Sequence, residues 1–515
     1  MYGSPLTFHR SGSDPHPYTP LSVMWSQVAI TLNVRHAFLH PKNMVSVRSK
    51  RVDVPTNEEQ MNSIMAGAFL LGMILVGVLS MKRIKGASSY FVADRKANTP
   101  AVTGSLLASI IGGSSTIGIA GLGYSKGLVG AWWMLVGAVG LIVLSLWFAG
   151  KVRSYEVYTL PEILRKQYGG NAVRIIASLL IAAAWLGIIA AQIIAAGKIL
   201  SVLWPGQSMW LMIIAGSVFI IYTLLGGQYS ILRTDLIQAI LIIMGVVICA
   251  VAGIGAAGGF SGMAAHLPSS YFSFPTNPNF GWTDLLTFLL FVGTVFLVGP
   301  DIYSRIFCSK DIQVARRSLV LTASIMIPTA FIITLAGIAA RALLPGIQPE
   351  SALPTLIIQT IPTGLSGLVI IALLAAVMSS ADTCLLTTST IITSDILAPL
   401  FRIDEKNLLG ISRIFVIITG IASLVIALRL QGIIASLLLG YTIYSAGLVI
   451  PILLGFYTKR FGLNAAGAMT AIAGGGVSGL FLKLSGHDAL LLCTMPLSAV
   501  LLFAGSYIWS RIHKT

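Results

Sequence analysis

The chain has 515 residues, of which 56% are hydrophobic and 10% charged. Soluble domains carry roughly 25% charged residues, so the composition excludes a soluble protein and points to an integral membrane chain. The formal charge of +16 sits mainly in loops that alternate along the chain, the positive-inside pattern, with no basic and aromatic patch of the kind that binds nucleic acid.

Residues 1–60 are rich in Pro, Ser and His and carry Arg35, Lys42, Arg48, Lys50 and Arg51. They lack the basic region, apolar run and small-residue cleavage site of a signal peptide. The stretch is either a disordered extension or the product of a start assigned too early, with Met61 as the true beginning. Apolar runs of about 20 residues, long enough to span a bilayer, then predict an all-α membrane protein of about thirteen helices. A first span with its cytoplasmic loop covers 61–98. Five spans follow over 99–257 and five more over 283–456, and two C-terminal helices with a short tail cover 457–515.

Lys82, Arg83, Lys85, Arg95 and Lys96 follow the first span. Lys151, Arg153, Arg165, Lys166 and Arg174 follow the third, Arg305, Lys310, Arg316 and Arg317 the seventh, and Lys459 and Arg460 the eleventh. This basic set is expected on the cytoplasmic side of a plasma membrane, with the N-terminus outside and the C-terminus inside.

Two spans look interrupted. The second holds Ile110-Ile111-Gly112-Gly113-Ser114-Ser115, and the seventh holds Phe291-Val292-Gly293-Thr294. Paired Gly and Ser loosen a helix. They equally suit close helix packing, but breaks at matching places in two halves point to a midplane site between inverted repeats. The repeats would be spans two to six and seven to eleven.

The ninth span carries Ala376, Ser379, Ser380, Asp382 and Thr383 within two turns. A carboxylate at bilayer depth costs about 2.5–3.5 kcal/mol and normally faces a partner, a cavity or an ion. Hydroxyl and carboxylate oxygens without sulfur or imidazole suit a hard cation.

From about Tyr90 to Arg460 the chain resembles the sodium:solute symporter family. The matching stretches are Gly121-Leu122-Gly123-Tyr124-Ser125-Lys126-Gly127, Tyr158-Thr159-Leu160-Pro161-Glu162, Gly226-Gly227 with Thr234-Asp235 and Gln238, and Ala375-Ala376-Val377-Met378-Ser379-Ser380. The resemblance implies the leucine-transporter fold, with five plus five helices in inverted repeat. It implies a coupling sodium ion held by the carbonyls of Ala108, Ile111 and Ala376 and the hydroxyls of Ser379 and Ser380. Carbonyls freed by unwinding at Gly112-Gly113 suit that role. Some relatives hold a second sodium with hydroxyls and an aspartate matching Asp235, which here implies Asp235, Asp382 and Thr383. This chain departs from them by carrying Asp382 where they carry serine. Three options follow at Asp382: a second sodium, a protonatable site, or an ion pair with a neighbouring base. For Asp235, next to Arg233, an interfacial cap is the competing reading.

The solute is expected near the breaks, among Gly113, Ser114, Ser115, Trp185, Gln192, Phe291, Thr294 and Tyr441. Positions that carry amide and acidic groups in sugar-carrying relatives read Ile110, Ser114, Ser115 and Leu439 here, too few hydrogen-bonding groups for a polyol. A small organic solute with one polar end fits better: a monocarboxylate, an amino acid or a pantothenate-like acid, its carboxylate held at a half-helix N-terminus. Proton coupling through Asp382 or Asp235 is the alternative to sodium. No H-E-x-x-H and no phosphate loop occurs, which argues against an enzyme. Cys249, Cys308, Cys384 and Cys493 form no C-x-x-C pair.

Overall fold

The computed structural model describes residues 57–81, 84, 86–362, 364–430 and 432–512. The expectation for residues 1–60 therefore lies, except for its last four positions, outside the described residues. The described chain is helical throughout, without named strands. Eleven of its helices are long and apolar enough to cross a membrane, or twelve when one bent pair counts as a span.

In chain order the elements that position the site are α1 (Asn57–Met81), α2 (Thr99–Ile110), α3 (Ile119–Lys126), α4 (Leu128–Ser154), α5 (Leu160–Tyr168), α6 (Asn171–Ser201) and α7 (Ser208–Ala256). They continue as α8 (Thr294–Val298), α9 (Pro300–Cys308), α10 (Ile312–Leu343), α11 (Ala352–Thr360), α12 (Leu365–Ile391), α13 (Glu405–Arg429) and α14 (Ile433–Gly455). Two further helices, α15 (Ala465–Leu484) and α16 (Thr494–Ile512), close the chain. Helix α7 has 49 residues and leaves helical geometry at Gly227 (φ 54°, ψ −169°). A straight helix of that length would run to about 70 Å, more than twice a hydrocarbon core. The left-handed φ favours glycine, and a Cβ there would also collide with the Tyr90 ring. If each arm of α7 crosses the bilayer, the total reaches thirteen.

Burial separates a centre from a periphery. In the span Leu365–Phe401, 89% of the most apolar window is buried, against 22% for Gln60–Met81. Helix α12 packs against α1, α2, α6 and α7. Large apolar residues on the outer helices, among them Leu71, Leu75, Trp147, Ile237 and Phe481, are exposed, as lipid-facing surfaces require.

Helix α2 starts cleanly, with the Asn98 side chain accepting from Ala101 N at 3.1 Å and Pro100 in the first turn, both good N-terminal choices. It stops at Ile111 (φ −84°, ψ 51°). The chain resumes through a wide turn over Ser114–Gly118 into α3, and the two arms bend by 59°. The second half also breaks, but not where expected. Phe288–Gly293 is a π-type turn that continues without interruption into α8. The chain leaves helical geometry at Gly299 (φ −62°, ψ 134°), immediately before Pro300. Proline disfavours helical backbone in the residue before it, so the Gly299-Pro300 pair sets the break. The seventh span runs Trp282–Cys308 and the ninth Leu365–Phe401, where the apolar runs alone predict 283–303 and 362–392.

Candidate functional site

Interrupting α2 removes the amides that would have bonded to the carbonyls of its last turn. Three of those carbonyls receive serine hydroxyls instead. Ser379 Oγ donates to Ala108 O at 2.8 Å, Ser380 Oγ to Ser109 O at 2.5 Å, and Ser115 Oγ to Ile110 O at 2.6 Å. Ser379 Oγ also lies 3.0 Å from Ala376 O within its own helix. Ser379 and Ser380 are buried and face the broken end of α2. Gly112 makes this approach possible, because a Cβ there would overlap Ser380 Oγ. Of the expected sodium ligands, Ala108, Ala376, Ser379 and Ser380 thus meet in one place. Ile111 is the residue at which the chain turns out of the helix. Gln192 of α6 supports the break by accepting from Gly113 N at 2.9 Å.

The acidic cluster has a partner that the sequence reading placed elsewhere. Arg305, counted above among loop bases, is 1% exposed and lies in α9. Its Nη2 is 3.5 Å from Asp235 Oδ2, bonds to Ser109 Oγ at 2.9 Å and contacts Thr383 Oγ1. Its Nε bonds to Ser105 Oγ at 3.1 Å and its Nη1 to Ser304 Oγ at 3.0 Å. Ser105 Oγ donates in turn to Asp235 Oδ2 at 2.5 Å. Asp235 is fully buried, which replaces the interfacial-cap reading. Asp382 is also fully buried, and its Oδ1 accepts from Thr383 Oγ1 at 3.4 Å. Asp235 Oδ1 and Asp382 Oδ2 have no hydrogen-bond partner. Two carboxylates therefore share the surroundings of one guanidinium.

Arg174, also read as a loop base, is buried and pairs with Asp395 at 2.5 Å. Its Nη2 donates to Ser394 O at 2.9 Å. The pair ties the start of α6 to the far end of the ninth span.

The expected solute residues divide. Gly113 and Gln192 meet at the first break. The Ser115 hydroxyl is taken by Ile110, and the Thr294 hydroxyl by Leu290 O, with Ser445 Oγ 3.4 Å away. Phe291 is buried and its carbonyl accepts from Ser445 Oγ at 3.1 Å. Trp185 packs edge-on against Tyr444 at 4.9 Å between centroids, and Tyr441 stacks on Trp133 at 6.1 Å. Tyr444 OH donates to Val298 O at 2.5 Å, at the second break. The Ser114 side chain lies outside what the structure describes. Sequence reasoning missed Ser105, Ser109, Asp301 and Arg305. The available signals were the Gly299-Pro300 pair, which moves the break, and the run from Thr294 to Cys308, in which Arg305 stands only five residues past Pro300.

The family model described as "Sodium:solute symporter family" matches residues 90–475. The chain belongs to the sodium:solute symporter family. A sodium/glucose cotransporter 4 of Danio rerio is 26% identical to this symporter-family chain over 402 residues, covering 69% of it and 61% of the relative. A sodium/glucose cotransporter of Vibrio parahaemolyticus is 25% identical over 435 residues, covering 78% and 80%. The chain thus spans about three-fifths of the length of the animal relatives it matches. A substrate-bound, outward-open Na+-coupled sialic acid symporter superposes with a TM-score of 0.72 at 21% identity, over 87% of this chain and 98% of that one. At that identity the likeness speaks to fold, and it makes this family member a transporter-fold chain of the leucine-transporter type.

Proposed function

We propose that the protein is a secondary active symporter that uses the sodium gradient to import a small organic solute across the plasma membrane by alternating access. One observation carries this reading: the carbonyls released at the end of α2 face Ser379 and Ser380 of α12 across two different helices. Such a cage of neutral oxygens binds a monovalent ion weakly enough to release it. Ala108, Ile111, Ala376, Ser379 and Ser380 are its ligands. Because it spans α2 and α12, an ion there stabilises one arrangement of those helices, and that differential stabilisation couples ion to solute.

A single sodium is favoured over two. The guanidinium of Arg305 stands among Asp235, Ser109 and Thr383, where a second cation would need those same oxygens. These contacts single out none of the three options at Asp382, since Arg305 pairs with Asp235 and the Asp382 carboxylate accepts from Thr383. Proton coupling through Asp382 or Asp235 remains the second reading, favoured by their two unpartnered carboxylate oxygens.

Loop charge supports placing Lys459, Arg460 and the C-terminus in the cytoplasm. On the opposite side a cavity of about 530 Å3 opens among Gly118, Ser125, Lys198, Glu350 and Ile434. On the basic side the cavity between Tyr158, Gln228, Pro300 and Thr387 holds only about 10 Å3, about one water's worth of space. The test is uptake into proteoliposomes of a panel of acids, amino acids and sugars under an inward sodium gradient, with potassium as control. Uptake equal in both salts would reject sodium coupling.

A further inference from the structure

The expectation that a half-helix N-terminus holds a solute carboxylate meets an obstacle at the second break. The first turn of α9 already carries a carboxylate of its own, Asp301. Its Oδ1 is buried without a hydrogen-bond partner. That oxygen turns back over the break, since a Cβ built on Gly299 would stand 2.8 Å from it. Among the described residues no ion pair involves Asp301. Arg305, one turn on, directs its nitrogens to Ser105, Ser304, Ser109, Thr383 and Asp235. The carboxylate also meets the backbone N–H groups of Asp301 and Ile302 in the first turn, which leaves Oδ1 as the unsatisfied oxygen. An ionisable group at membrane depth with an unsatisfied oxygen is a functional candidate by default.

Its surroundings say for what. Tyr444 OH donates to Val298 O at 2.5 Å, beside the same break, Tyr441 lies one turn before Tyr444 on α14, and Trp185 rests edge-on against Tyr444. The Tyr303 hydroxyl and the Trp185 ring nitrogen, both fully buried, have no hydrogen-bond partner. A metal ion needs several oxygens at once, and this place offers one unsatisfied carboxylate oxygen near aromatic rings. An organic ammonium group uses both features, a carboxylate for its N–H bonds and ring faces for its charge. Asp301 is half-buried as a residue, and its neighbours Pro300 and Ser304 line the narrow, water-sized cavity on the basic side.

We propose that Asp301 binds a protonated amine of the solute, with Trp185, Tyr441 and Tyr444 around it, so that the transported class is amino acids or small amines and not simple acids or sugars. The inference rests on the symport reading for its transport context but is tested separately from it.

The test is thermal stabilisation of the purified full chain in lipid nanodiscs. The probes are the twenty protein amino acids, their decarboxylated amines and their deaminated acids, each in sodium and in potassium. We expect some amine-bearing probes to stabilise the protein while their deaminated partners do not. Asp301→Asn should raise the half-effective concentration of those probes at least tenfold while keeping the wild-type response to sodium alone. If that variant fails to fold, the comparison of amines with their deaminated partners on the wild-type chain decides. Equal stabilisation by the deaminated acids, no response to any amine, or an unchanged response in Asp301→Asn would overturn the proposal. Amine binding that is identical in sodium and potassium would overturn sodium coupling while upholding the role of Asp301.

Discussion

The hydroxyl of Ser379 lies 2.8 Å from the carbonyl oxygen of Ala108, although 271 positions separate the two residues. The contact bridges α12 and the broken end of α2. Removing the hydroxyl leaves a buried carbonyl without that partner, which typically costs about 1–3 kcal/mol. Ser379→Ala should therefore lower the thermal midpoint in sodium-free buffer, read by a thermal-shift assay, and should weaken the stabilisation that sodium adds.

Gly112 governs how closely these helices approach. The Cβ of Gly112→Ala would overlap the Ser380 hydroxyl and separate α2 from α12. The expected outcome is a protein that inserts normally, by detergent-extracted yield, with sodium-dependent uptake reduced at least tenfold. Wild-type uptake in that variant would separate the α2–α12 contact from coupling.

Arg305 and Asp235 are both essentially inaccessible. Breaking a buried pair by removing one partner costs about 3–5 kcal/mol, because the other charge stays behind. Arg305→Met should be strongly destabilised in thermal unfolding, and Arg305→Met with Asp235→Asn should recover much of the loss. If the double variant is no better than the single, the guanidinium is held by the hydroxyls and by Asp382, not by Asp235.

Much of this site was legible because polar residues stand out against apolar runs. Ser379, Ser380 and Asp382 follow directly on the apolar run 367–378, and Gly112-Gly113 marks the loosened turn. Arg305 was not legible, because loop bases and buried bases look alike when span edges are drawn by hydropathy alone. Arg305 and Arg174 were both counted among the loop bases that follow the seventh and third spans. The second break was misplaced because Gly293 drew attention from Gly299-Pro300. Small residues tolerate a turn, whereas proline imposes one on the residue before it. Asp301 was hidden by the same error, since it becomes a half-helix terminus only once the break is set at Gly299.

Glu350, just before α11, bridges three elements. It pairs with Lys198 at the end of α6, and its Oε1 accepts from Ile433 N at 2.9 Å and Ile434 N at 3.3 Å, at the start of α14. The carboxylate thus caps a helix N-terminus, where negative charge is favoured. Neutralising it should loosen closure on that side. Ser125 lines the adjacent cavity. In a Ser125→Cys background with Cys493 replaced by serine, Glu350→Gln should speed reaction with a membrane-impermeant thiol reagent severalfold. An unchanged rate would mean the contact does not restrain the outer side.

The most direct measurement of the central claim is the sodium concentration that half-maximally stabilises purified protein, compared between wild type and Ser380→Ala. The account predicts saturable stabilisation of the wild type by sodium but not potassium, with a shift of at least tenfold to higher sodium in the variant. An unchanged sodium midpoint in a folded Ser380→Ala protein would contradict it.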